Sequence, residues 1–235
     1  DFRRDFVQAR FSPRPRGSRV VRKYYAVGSL DYTTNAAGDR LETRETEGTF
    51  DIEFNSGDRL SVGYTRTYDF LPTRFTIAPG VVIPVGGYQF QTGAATLTLV
   101  QKRRVAGNVA VATGSFYDGN RTDVSYTGTV QVRPGVTIEP RFSWNWVELP
   151  YGDFTAKLVS TRANVSFSTK MSVGALVQYN SSNDAFDVNV RYRWEYRPGS
   201  DFFVVYSEGR RTTLDAFPVL ETRGLVLKLT RLLRF

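Results

Sequence analysis

The sequence contains no cysteine and no histidine. Without cysteine, disulfides and thiolate chemistry are excluded. Without histidine, the commonest general base and metal ligand is missing. The aspartates are scattered and lack the dense spacing of a calcium loop, so no metal and no cofactor is expected. Long apolar runs are absent as well. No segment approaches the roughly 20 residues a spanning helix needs, and none repeats apolar residues at i, i+3, i+4 and i+7 between helix caps. Mean hydropathy is below zero. The sequence has no start Met and no apolar N-terminal signal, which reads as a mature chain or an excised piece.

Charge is plentiful but not gathered. Lys and Arg number 31 against 23 Asp and Glu, for a formal charge of +8. The basic residues are spread along the chain, so no nucleic acid partner is expected.

What is present is a period of two. Over 186–197, Phe186, Val188, Val190, Tyr192, Trp194 and Tyr196 share one face, and Asp187, Asn189, Arg191, Arg193, Glu195 and Arg197 the other. Over 136–146, Val136, Ile138, Pro140, Phe142, Trp144 and Trp146 alternate with Thr137, Glu139, Arg141, Ser143 and Asn145. Val124, Tyr126, Gly128, Val130 and Val132 alternate with polar residues in the same way. These runs exceed the usual strand of five or six residues and match the nine to eleven of a tilted membrane strand.

Turn signals fall into two alternating sets. One is short and Arg-rich, as in Arg14-Pro15-Arg16-Gly17-Ser18, Asn55-Ser56-Gly57-Asp58, Arg133-Pro134-Gly135 and Arg197-Pro198-Gly199-Ser200-Asp201. The other includes Asn35-Ala36-Ala37-Gly38-Asp39, Tyr117-Asp118-Gly119-Asn120, Leu149-Pro150-Tyr151-Gly152-Asp153 and the long stretch 71–87. Short turns on one side and long loops on the other is the asymmetry of outer-membrane barrels.

The expected fold is therefore all-β: one transmembrane up-and-down antiparallel β-barrel over 1–235. Its thirteen strands lie near 4–13, 18–34, 40–54, 58–70, 88–102, 108–117, 121–133, 136–147, 154–168, 171–180, 185–197, 201–209 and 219–235. Single-chain bacterial barrels have even strand numbers, so 14 or more strands are expected, with at least one before Asp1. The 71–87 segment is an extracellular loop that plugs the lumen or covers the rim, and Pro72, Pro79 and Pro84 argue for an extended path.

Aromatic residues collect at strand ends. Tyr64, Tyr68, Trp144 and Trp146 form one girdle, and Tyr192, Trp194 and Tyr196 the opposite one, as expected at two membrane interfaces. The competing reading is the aromatic core of a soluble sandwich. On the polar face, Asp187, Asn189, Arg191, Arg193, Glu195 and Arg197, with Glu139 and Arg141, form a lumen-facing column. It reads first as an ion-pair ladder and second as a solute path, in which a net basic lumen favours anions. Glu45/Glu47 and Asp51/Glu53 read as lumen-facing polar positions rather than acid–base pairs, and no enzyme activity is expected.

The last segment alternates Leu225, Leu227, Leu229 and Leu233 before a terminal Phe235. It is similar to the C-terminal signal by which outer-membrane proteins engage the barrel-assembly machinery, although Arg231 interrupts the apolar series. Ile77-Ala78-Pro79-Gly80-Val81-Val82-Ile83-Pro84, Leu149-Pro150-Tyr151-Gly152-Asp153-Phe154, Leu176-Val177-Gln178-Tyr179-Asn180 and Arg193-Trp194-Glu195-Tyr196-Arg197-Pro198-Gly199-Ser200-Asp201 add to it. Together they resemble the family of Gram-negative outer-membrane proteins that carry an N-terminal family-9-type carbohydrate-binding module and a C-terminal barrel. The resemblance implies a bilayer-embedded chain, a carbohydrate ligand on a module preceding Asp1, and no catalytic residues to carry over. Three functions stay open: an anchor and conduit for that module, a porin-like or transport channel with anion bias, and a soluble β-rich binding module.

Overall fold

The computed structural model describes residues 1–100, 102–212 and 218–232. Its strands are β1 (Phe2–Phe11), β2 (Val21–Asn35), β3 (Leu41–Phe54), β4 (Arg59–Leu71), β5 (Phe75–Ala78), β6 (Val81–Ile83), β7 (Gly86–Leu99), β8 (Val105–Phe116), β9 (Gly119–Arg133), β10 (Val136–Glu148), β11 (Phe154–Ser168), β12 (Met171–Asn180), β13 (Ala185–Arg197), β14 (Ser200–Arg211) and β15 (Val219–Leu229). Thirteen form one antiparallel meander in the order β1-β2-β3-β4-β7-β8-β9-β10-β11-β12-β13-β14-β15, while β5 and β6 pair only with each other. Among the described residues there is no helix. Among the described residues no pairing joins β1 to β15, which stand at the two ends of the strand order.

Most strands lie within a few residues of expectation, and the departures have local causes. The first strand ends at Phe11 rather than 13, and the second begins at Val21 rather than 18. Pro13 and Pro15 lack the N–H a ladder needs, so the connection 12–20 is long although it belongs to the supposedly short set. Conversely, Tyr117 and Asp118 alone link β8 to β9, with Tyr117 at a φ of 49°. The loop asymmetry thus rests mainly on 71–87. The last strand stops at Leu229 rather than continuing to 235, and Leu233 and Phe235 lie outside the described residues.

The 71–87 segment is not an extended path. Its centre is the β5–β6 hairpin, with Phe75 opposite Ile83, Thr76 opposite Val82 and Ala78 opposite Val81. Pro79 and Gly80 make the turn. Proline presets the first turn position and Gly80 takes a φ of 79°, the pattern of a type II turn. Such a turn splays its strands, in keeping with their shortness.

Chain contacts divide into two compact units. Unit 1 comprises 1–100, 108–125 and 144–155, and unit 2 comprises 101–107, 126–143 and 156–235. In unit 1, residues opposite one another across the ladder share a face. Tyr24, Ile52, Leu60 and Leu97 form one rung, and Phe11, Ala26, Phe50, Val62 and Ala95 the next. Tyr64 then lies in a rung with Gly28, Gly48 and Gly93. Towards the loops this face turns polar at Thr46, Arg66 and Gln91, then at Tyr32, Arg44, Tyr68 and Gln89.

Unit 2 repeats the pattern. Met171, Trp194, Phe202 and Leu229 share a rung, followed by Val165, Val173, Tyr192, Val204 and Leu227, then Ala163, Ala175, Val190, Tyr206 and Leu225. Beyond them the same face reaches Glu208 and Arg223.

The apolar face is uncovered. Phe11 is 70 % exposed, Val62 51 %, Leu225 65 % and Leu229 68 %. Only Val81, Ile83, Tyr88, Ala106, Val147 and Leu149 are buried hydrophobics among the described residues. Five of these form a single cluster around the β5–β6 hairpin.

Candidate functional site

The opposite face of each unit carries the polar chemistry. Near the turns of unit 1, Tyr25 donates to Glu53 at 2.7 Å. Arg10, Lys23 and Arg59 all lie over its ring, at 4.8, 4.3 and 5.1 Å from the centroid. Arg59 also pairs with the buried carboxylate of Asp51, and Arg22 with Glu53 at 3.1 Å. Cations over a ring face and charge-assisted hydrogen bonds reinforce one another here. Asp51 and Glu53 are therefore members of an ion-pair knot. Farther along the same face, Asp31 pairs with Arg4. Glu45 stands in the rung of Asp31 and Thr67, and Glu47 in the rung of Ser29 and Thr65. This stretch is acidic, so the polar face is not uniformly basic.

At the loop end of unit 1, the hairpin packs on the polar face. Tyr88 stands opposite Asp69 on that face, and it clusters with Val81, Ile83, Val147 and Leu149. Tyr117 completes the cap: its ring meets Tyr88 edge-on at 5.0 Å and Phe116 at 4.7 Å, and its hydroxyl donates to Asp69 at 3.3 Å. Burial, then the charge of Asp69 and the hydrogen bond to it, push the Tyr117 hydroxyl up to about 12. Tyr151 donates to Asp118, and that bond, followed by desolvation, also raises its phenol. A phenol bonded to a carboxylate is held in its protonated form. Tyr88 donates to the Pro84 carbonyl at 2.9 Å, tying the strand to the hairpin's exit.

In unit 2 the charged column is only partly a ladder. Arg193 pairs with Asp201 at 2.9 Å and approaches Glu195 at 3.9 Å. Glu195 also accepts from the Gly199 amide at 3.0 Å. Arg197 falls at a bulge opposite Ser200, which takes it out of register with the column. Glu139 accepts from Asn164 at 3.2 Å, and Asn189 donates to Ser207 at 2.9 Å. Asp187 stands in a rung with Gln178 and Gly209. Arg191 lies over the Phe203 ring at 4.6 Å. Arg141 and Arg191 form no ion pair among the described residues.

The aromatic residues expected in the two girdles occupy the apolar face. Trp194, 43 % exposed, contacts Tyr196 edge-on at 6.2 Å, and Tyr196 donates to the Thr230 carbonyl at 3.0 Å. Tyr192 shares a rung with Val173 and Val204. Trp146 is 42 % exposed and Trp144 half-buried. Tyr68 flanks Arg44, while Tyr64 lies two rungs nearer the turns and donates to Gln91.

Sequence reasoning missed the hairpin and the Tyr25 knot. The hairpin had a readable signal: Ala78-Pro79-Gly80-Val81 flanked by Phe75-Thr76-Ile77 and Val82-Ile83, a turn between two β-forming runs. The knot had none, because it is assembled from four strands. Among the described residues, no group of three or more Asp or Glu is arranged to hold a metal ion. No family model matches the chain, and no curated protein matches it.

Proposed function

We propose that this chain spans a Gram-negative outer membrane as an up-and-down β-barrel. In this reading it anchors an attached carbohydrate-binding module, and its polar face lines an interior path. The observation that carries the reading is the inverted polarity: in both units, consecutive rungs of large apolar side chains lie exposed on one face, while the Asp51–Arg59 and Arg193–Asp201 salt bridges lie on the other. Charge returns to the apolar face of unit 2 only beyond its apolar rungs, where Glu208 pairs with Arg210 and Arg223. Water-soluble monomers rarely leave contiguous apolar patches of such extent. A lipid-facing band with a polar interior is the pattern of outer-membrane strands.

Parity sets the strand number. Thirteen alternating strands leave the first and last running the same way, so antiparallel closure takes at least one further strand and an odd number of them, giving an even-numbered barrel without edges. The attached module and the role of the C-terminal segment in assembly rest on the sequence resemblance alone. A channel with anion bias is the second reading, favoured by Arg141 and Arg191, which form no ion pair among the described residues.

The test is to fold the chain into vesicles of brominated phosphatidylcholine and follow tryptophan emission. Trp146 and Trp194, exposed on the apolar face, should be quenched by the lipid bromines. A chain that stays monomeric in buffer without detergent, with unquenched tryptophans in the presence of vesicles, overturns the membrane reading.

A further inference from the structure

The polar face of unit 2 has a recess of about 330 Å³ lined by Arg162, Asn164, Gly174, Leu176, Asn189 and Arg191. The register explains its shape. Arg162, Leu176 and Asn189 form one rung, and Asn164, Gly174 and Arg191 the adjacent one. The two arginines are therefore diagonal across Gly174, the position with no side chain. Both guanidinium groups are exposed, and neither forms an ion pair among the described residues. Arg191 is steadied by the Phe203 ring, which leaves its N–H groups unused by any carboxylate.

The remaining polar atoms narrow the ligand. Asn164 gives its N–H to Glu139, and its Oδ1 lies 3.3 Å from where a Gly174 Cβ would be, so it faces the recess as an acceptor. Asn189 turns its N–H to Ser207. Of the carboxylates on this face, Glu139 is held by Asn164 and Asp187 stands one rung nearer the loops. Two guanidiniums call for an oxyanion, and an acceptor beside them calls for a hydroxyl.

We infer that this recess binds a small hydroxylated oxyanion, of the acidic-sugar class, with Arg162 and Arg191 clamping its carboxylate or phosphate and Asn164 accepting from a hydroxyl. The inference deepens the membrane reading by naming what the polar face takes, and rests on it for that face being an interior one.

Calorimetric titration of the detergent-folded full chain with glucuronate tests it, with glucose as the uncharged comparison. Binding of glucuronate should exceed that of glucose by at least about tenfold and weaken with added salt. Arg162→Gln and Arg191→Gln should each weaken it by about tenfold, as expected for one partly exposed charged hydrogen-bonding group. Gly174→Val, which fills the recess without changing charge, should abolish it. Arg66→Gln, on the apolar face of unit 1, should leave it unchanged. Equal binding of glucose and glucuronate, or equal losses in Arg66→Gln and Arg191→Gln, overturns the site. Vesicle quenching read alongside separates the two proposals. A quenched chain that ignores glucuronate refutes the recess alone, and an unquenched soluble chain that binds it refutes the membrane alone.

Discussion

Ile83→Ala is the perturbation that most directly tests how the 71–87 segment is held. Ile83 is fully buried, at 0 % exposure, and packs with Val81, Tyr88, Val147 and Leu149. The hairpin's own ladder has only three register pairs, and an isolated two-stranded hairpin is marginal in water. Docking of Val81 and Ile83 therefore supplies most of its order. Truncating a buried isoleucine to alanine costs about 2–5 kcal/mol. Taking about 3 kcal/mol, the docked population falls by about 150-fold relative to the undocked one.

Amide hydrogen exchange reads this population, because local opening exposes the hairpin without unfolding the sheet. Exchange across 75–83 should accelerate by about 150-fold in Ile83→Ala. In Val82→Ala, whose side chain is 38 % exposed, it should change by less than about threefold. Exchange in β3 and β13 should be unchanged in both. Unchanged protection of 75–83 in Ile83→Ala, with the sheet intact by circular dichroism, refutes the docking argument. Simultaneous loss of protection in β3 refutes the claim that the hairpin opens on its own.

Three further outcomes are expected. Spectrophotometric titration should reveal a late tyrosine near pH 12 that disappears in Tyr117→Phe. Because the folded value lies above the ordinary value of 10, its contribution is fully present below pH 10 and is lost as pH rises through about 12, and titration of every tyrosine near pH 10 would sink this assignment. Gly119→Ala places a Cβ 1.9 Å from the Glu148 carbonyl oxygen and should cost at least about 1–3 kcal/mol in denaturant unfolding, whereas Gly48→Ala, with nothing within 4 Å, should be tolerated. Equal midpoints for the two variants would contradict the strand spacing. Arg59→Ala leaves Asp51, whose side chain is 5 % exposed, without its cation and should cost about 3 kcal/mol. In a double-mutant cycle with Asp51→Ala, a coupling energy near zero would show that the pair is not the anchor of the Tyr25 knot.

Strand number, direction and most boundaries were legible because each strand of this sheet writes its own two faces. Tyr192 and Trp194 against Arg191 and Arg193 need no neighbour to be assigned. What was not legible depends on register. Whether Arg193 is neutralised and Arg191 is not depends on Asp201 and Phe203 in the next strand. The bulge at Arg197 changes its partner in a way that alternation does not encode. The same holds for charge. A net +8 suggested a basic interior, yet register gathers Glu45, Glu47, Asp31 and Asp69 on one stretch of the polar face of unit 1 and Arg162 and Arg191 on that of unit 2.

The hairpin shows the converse error. Pro72, Pro79 and Pro84 argue from the sequence for an extended path, whereas Pro79 followed by Gly80 is what reverses the chain. Once reversed, Val81 and Ile83 alternate onto one side and Val82 onto the other, the same period of two as the main strands but too short to stand out. Its apolar side is not part of the exposed apolar face of the sheet, because it lies on the polar face against Tyr88 and Val147. It therefore had to find its partners within the chain. That requirement explains why the most buried residues of a protein whose apolar strand faces are exposed sit in what reads as a loop.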